Sequence, residues 1–133
     1  MREVELLGKW LAFEGFRNIE LADPKKLIDG IKAQTTDCCV QLFDPSLIAG
    51  FDHLYFAALN ALKAFEAERN ISKELAVEVL LYASGQHQIR KAIQLLGIKP
   101  NSKEVAVLVI SETRNKAEEA MEGVSTLLRG ERS

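Results

Sequence analysis

The sequence predicts an α+β fold: one domain over residues 1–133, with a small β-sheet of about three to four strands packed against about five or more α-helices. Three observations predict it. Short β-prone runs stand apart at Lys9–Arg17, Asp37–Phe43 and Glu104–Ser111, apolar residues recur at helical spacing around them, and Pro or Gly punctuates most joins. A chain of 133 residues, 47% hydrophobic and 27% charged, is long enough for one sizeable core and of ordinary globular composition.

KWLAFEGFR, Lys9 to Arg17, mixes aromatic and polar residues as a strand does, and a further strand at the N-terminus would be the fourth. Asp23-Pro24 then supplies an N-cap and a proline at the first helical position, and Leu27, Ile28 and Ile31 give the helix to about Ala33 its apolar face. DCCVQLF, Asp37 to Phe43, reads as a partly buried strand. If it lies parallel beside the first, the strand–helix–strand order makes a right-handed crossover unit.

Asp44-Pro45 breaks that strand, and a long helix is expected from Gly50 to Arg69. Its stripe of Leu54, Ala58, Ala61, Leu62 and Phe65 is widened by Tyr55, Phe56 and Leu59, which marks a helix contacted on several sides. Its polar line is narrow: His53, Asn60 and Lys63 share one face. Ser72 suits the N-cap of the next helix, Lys73 to Ser84, with Glu74 in its first turn. That helix is apolar nearly all round, and Glu78 is its one interior charge.

Gly85 ends it, and another helix starts at once with a stripe of Ile89, Ala92, Ile93 and Leu96. Gly97, Ile98 and Pro100 make its stop signal. EVAVLVIS, Glu104 to Ser111, is expected as a buried strand. A last helix from about Arg114 to Leu128 buries Ala117, Met121, Val124 and Leu128, before a frayed RGERS tail.

Several function classes find no support in the residues. No apolar run approaches the ~20 residues of a membrane span. Acids lie within the first residues and no long apolar h-region follows, so no signal peptide is expected. Cys38 and Cys39 are adjacent, should point to opposite faces of a strand, and offer no disulfide framework. An intracellular, reduced, cytoplasmic protein is the simplest reading. There is no phosphate-cradling loop, dinucleotide fingerprint or nucleophile elbow.

The histidines, His53 and His87, show no metal-ligand spacing, so neither a metal nor a cofactor is expected. A thiol nucleophile at Cys38 or Cys39 is weighed against small buried hydrophobes, and burial is preferred. Glu78 as a general acid is weighed against pairing with a neighbouring Arg or Lys, and pairing is preferred. Nothing reads as an active site.

The charge map is more informative. Val79 to Lys103 contains no Asp or Glu but holds Arg90, Lys91, Lys99 and Lys103, a local +4 within a chain of net charge -2. A chance fluctuation on a solvated face is the plain alternative. The helix start after Gly85 adds unsatisfied N–H groups near Gln86, His87 and Gln88, a ready anion site with Arg90 and Lys91 beside it. Gln86 and Gln88 carry amides able to read a base or sugar, although Gln88 could instead cap the helix. Apolar surface at Phe51, Tyr55, Trp10, Phe13 and the last helix is either core or a partner groove.

The run IAGFDHLYFAALNALKAFEAERNISKELAVEVLLYASGQHQIRKAIQLLGIK, with VQLFDPSLIAG before it and VAVLVIS after it, resembles the kinase-binding regulatory subunit family of the KEOPS complex. Its carrying features are the AG-x-x-HL opening, a helix rich in small residues and leucine, E-x-LLY-x-SG, QI-x-x-AI and a terminal GI, in that order. The resemblance covers nearly the whole chain. It implies a non-catalytic protein that binds the amino-terminal lobe of the complex's small atypical kinase/ATPase and, through it, associates with the remaining subunits. It further implies support for threonylcarbamoyladenosine (t6A) modification of tRNA.

Archaeal-type members imply a tRNA-recruiting module that grips the single-stranded 3' CCA end. By motif that role falls on Ser84, Gly85, Gln86, Gln88 and Ile89. Arg90 and Lys91 are added by charge, and Asn60 and Lys63 from the polar line of the long helix. His87 stands where the family usually has arginine, which removes a fixed charge and a five-donor fork. The alternative is a pure protein-interaction module that regulates the kinase without binding RNA, and a small-molecule enzyme is third.

Overall fold

β4 (Val105–Ser111) decides the architecture, because every residue before Ser111 is apolar and neither face can be left to water. It takes the centre of a sheet ordered β1-β2-β4-β3, with all neighbours antiparallel; the computed structural model describes residues 1–132. β1 (Arg2–Leu6) and β2 (Lys9–Arg17) form a hairpin over Leu7-Gly8, both at positive φ, as a two-residue primed turn requires. β3 (Cys39–Phe43) pairs with the other side of β4.

Strand alternation sends side chains to two cores. Leu11, Phe13, Phe43, Leu108 and Ile110 pack against α2 (Phe51–Glu66), α3 (Leu75–Ser84) and α4 (Ile89–Leu96). Ala12, Phe16, Leu42, Val105, Val107 and Val109 face α1 (Pro24–Gln34) and α5 (Arg114–Leu128). The α+β reading therefore holds, with helices on both faces of an antiparallel sheet. The expected crossover unit does not form. β2 and β3 do run parallel, since each is antiparallel to β4, but β4 lies between them. The strand most in need of cover has displaced the pairing of the two earlier ones.

The tail is another correction. Glu131–Arg132 forms β5, which pairs with Phe16 and Arg17 of β2, while Arg17 and Asn18 contact the Glu131 carboxylate. The stop at Gly97 also works differently from the signal read in the sequence. Gly97 sits at φ -70, so it is not a left-handed cap, and a Cβ there would lie 2.5 Å from the Ile93 carbonyl oxygen. Close approach is what excludes a side chain.

At the start of α3, Ser72 is not the N-cap. The helix begins at Leu75, and Ser72 Oγ accepts from the Glu74 N–H at 3.2 Å in a turn just before it. Glu78 has no cationic partner among the described residues. Its carboxylate accepts the Ser72 N–H at 2.8 Å and the Ile71 N–H at 3.1 and 3.2 Å, tying the incoming loop to α3.

Cys38 packs with the α1/α5 core and Cys39 with the other, the opposite-face arrangement expected of neighbours in a strand. Desolvation by burial, then the charges of Cys38 and Glu74, push the Cys39 thiol up to about 12. Cys39 should therefore resist thiolate-selective alkylation at pH 8 in the folded protein and react after unfolding, which mass-spectrometric labelling checks. From its ordinary 9.0 up to about 12 the unfolded chain loses a proton that the folded chain keeps, so this group lowers stability as pH rises through that window. No helix is long and apolar enough to cross a membrane among the described residues.

Candidate nucleic-acid interface

α3 is apolar nearly all round because all but a side bearing Tyr82 is covered by the sheet and by its helical neighbours, and its end is closed by hydrogen bonds of its own chain. Gly85 adopts the left-handed conformation (φ 68, ψ 18) that glycine enters without steric cost. Its N–H donates to the Tyr82 carbonyl, and the Gln86 N–H reaches the Leu81 carbonyl at 3.2 Å, which together form a Schellman closure. Ser84 Oγ donates to the Leu81 carbonyl at 3.1 Å and accepts weakly from the Gln86 N–H at 3.3 Å.

This closure corrects the expected helix start. The Gln86 amide is consumed in ending α3, and Gln86 is half-buried. α4 begins only at Ile89, after His87 and Gln88. Its first internal bond runs from the Ala92 N–H to the Gln88 carbonyl at 3.0 Å, so the first-turn amides left without an intrahelical partner are those of Ile89, Arg90 and Lys91. Gln88 makes no side-chain cap, which leaves its amide exposed and uncommitted. The site thus lies a full turn later than the sequence suggests, and the two cationic residues sit on it.

The basic window divides in three dimensions. Lys99 Nζ lies 3.6 Å from Asp44 Oδ2 and donates to the Gly97 carbonyl at 2.9 Å. Lys103 lies with Ile19 and Glu20 beside the β2–α1 connection, and its carbonyl accepts the Ile19 N–H. Arg90 and Lys91 remain, both exposed and without an ion-pair partner among the described residues. His87 is exposed beside them.

The predicted core stripe of α4 is only half buried. Ala92 and Leu96 are inside, whereas Ile89 and Ile93 are 41% and 49% exposed. Part of the uncovered apolar surface therefore lies next to the cations, while Leu7, Leu47, Phe56 and Ile71 are exposed elsewhere. Trp10, Phe13, Phe51 and Tyr55 are instead buried or half-buried, with Phe51 wedged between Phe13 and Tyr55, and α5 buries its own stripe.

Asn60 and Lys63 are exposed on α2, but they sit about 10 and 15 Å along its axis from His53 at 1.5 Å per residue. His53 itself touches α3 at Ala83, so Asn60 and Lys63 lie towards the opposite end of the helix pair from Gly85. Ser84, Gly85, Gln86, His87, Gln88, Ile89, Arg90 and Lys91 form one continuous junction; Asn60 and Lys63 stand apart from it. His53, which the sequence reading left out of the junction, contacts it at Ala83; its signals in the sequence were its place in the AG-x-x-HL opening and on the polar line with Asn60 and Lys63.

A family described as "Kinase binding protein CGI-121" matches residues 16–133. The chain belongs to this family. The match begins within β2 and covers every later element, so the junction and both helical layers fall inside it. No curated protein sequence matches the chain. The family's description speaks of kinase binding, and a kinase-binding, regulatory role is the reading it supports.

Proposed function

We propose that this chain is a non-catalytic, cytoplasmic subunit of the KEOPS complex, with residues 1–133 forming one kinase-binding domain. It binds the amino-terminal lobe of the complex's atypical kinase/ATPase and recruits tRNA through the single-stranded 3' CCA end, in support of t6A modification. Membership of a kinase-binding family supports the first half. The second half is carried by one observation: Arg90 and Lys91, exposed and unpaired among the described residues, flank the open first-turn amides of α4.

Those donors suit phosphate oxygens. Exposed Ile89 and Ile93 offer apolar contact to unstacked bases, and the free Gln88 amide can reach a base edge or a 2'-hydroxyl. An arginine fork at Arg90 takes over the anion contact that the family places one turn earlier, where His87 stands. An electrophoretic shift with intact tRNA and with tRNA lacking its terminal CCA tests the reading. A shift with intact tRNA that is lost on trimming is expected, and equal binding would end the end-gripping role.

The exposed apolar residues Ile89, Ile93 and Leu95 also favour a second reading, in which this face meets a protein. It predicts tight kinase association with no measurable tRNA affinity at moderate salt.

A further inference from the structure

The last turn of α3 carries carbonyls that no later helical N–H can reach. Leu81 and Tyr82 are satisfied locally by Ser84, Gly85 and Gln86. The Ala83 carbonyl is satisfied from another helix: His53 Nε2 of α2 lies 2.7 Å from it. The same ring accepts the Ala49 N–H at Nδ1, 3.0 Å away. Ala49 precedes Gly50, which starts α2 at φ 130 and has no side chain with which to cap it. His53, in the first turn, reaches back to the amide one residue before Gly50 and so ties the entering loop to the helix start, one residue earlier than the bond of a capping box.

The two bonds fix the state of the ring. An N–H points at Nδ1, so Nδ1 is the acceptor and the proton sits on Nε2, where it donates to the Ala83 carbonyl. Neutral imidazole in this tautomer is the one form that serves both partners. Ala83 immediately precedes Ser84 and Gly85, so the ring adds a direct polar tie between the helix break and the start of α2.

We propose that His53 is the positioning residue of the Ser84–Lys91 junction, acting through its Nε2 hydrogen bond to Ala83 and touching no ligand itself. The proposal rests on the RNA-binding reading of that junction. Without the bond the Ala83 carbonyl is left unpaired, the last turn of α3 frays, and the amides and cations that follow lose their fixed presentation.

Three variants of the full chain separate this role from general stability. His53→Gln places a donor where Nε2 was, His53→Asn places an acceptor near Nδ1 but cannot reach Ala83, and His53→Phe keeps the ring without either group. Hydrogen exchange at the Gly85 and Gln86 amides should match wild type within about twofold in the Gln variant. In the Asn and Phe variants it should be roughly threefold to tenfold faster, the worth of one hydrogen bond. Affinity for intact tRNA should split in the same way.

Equal exchange in all variants, or a Gln variant grouping with Asn and Phe, overturns the proposal. So does a split in exchange with no split in affinity for a wild type that does distinguish intact from CCA-trimmed tRNA. A wild type that binds both RNAs alike overturns the RNA reading instead, and the exchange pattern then decides alone whether His53 positions the junction.

Discussion

Charge reversal at both Arg90 and Lys91 should weaken binding of intact tRNA between about thirtyfold and a thousandfold while leaving the fold unchanged. Both side chains are exposed and neither joins an ion pair among the described residues, so nothing in the native structure depends on their sign. Each lost charge-assisted phosphate contact is worth about 1–2 kcal/mol, and 1.4 kcal/mol is a factor of about ten. The slope of log affinity against log salt should flatten by roughly 1.4, at about 0.7 per single-strand phosphate contact. Reversal at Lys103, beside Glu20, is the control and should leave affinity within about twofold of wild type, the order of a distant, screened charge. An unchanged slope in the double variant would place the RNA elsewhere. Fluorescence anisotropy over a salt series measures both quantities.

Glu78→Ala should cost on the order of 3 kcal/mol of stability. The residue is 1% exposed, and its carboxylate holds the Ile71 and Ser72 N–H groups. Removing it strands the N–H of buried Ser72, unties that of the more exposed Ile71 and frees the loop that feeds α3. Glu78→Gln keeps one acceptor oxygen, so roughly half the loss is expected. Urea denaturation followed by circular dichroism measures both. A loss below about 0.5 kcal/mol for Glu78→Ala, the range of an unremarkable surface change, would mean that water replaces the carboxylate.

The contrast between Glu78 and Arg90 shows what was legible in the sequence. Local signals survived folding: Asp23 accepts the Lys26 N–H as the N-cap of α1, Gly85 is left-handed, and Arg114–Leu128 is helical to the residue. Each is decided by a few neighbouring residues and a steric rule. Partners across the chain were not legible, because periodicity carries no information on which element covers which face. Glu78 has the pattern of a residue seeking a cation, yet nearby backbone amides satisfy it first. Ile89 and Ile93 have helical core spacing, but α4 has only one covered side, and that side takes Ala92 and Leu96. The crossover failed similarly, since strand order is settled by competition for burial and β4 wins it.

At the site, the motif and charge readings agreed on the Gly85 junction, which is local. They could not show that Lys99 is held by Asp44, that Lys103 lies elsewhere, or that His53 ties the two helices together. Each of these depends on residues at least thirty positions apart. The position of His87 acquires a physical account: it lies in the four-residue link between α3 and α4, while the cations that follow sit on the helix start itself.

The central claim is that a single-stranded RNA end docks on the start of α4. Parallel titrations of intact tRNA and CCA-trimmed tRNA, at one fixed moderate salt concentration, test it most directly. The account predicts at least about a tenfold tighter dissociation constant for the intact molecule, since trimming removes the phosphates and unstacked bases the junction would hold. Equal dissociation constants for the two RNAs would contradict it.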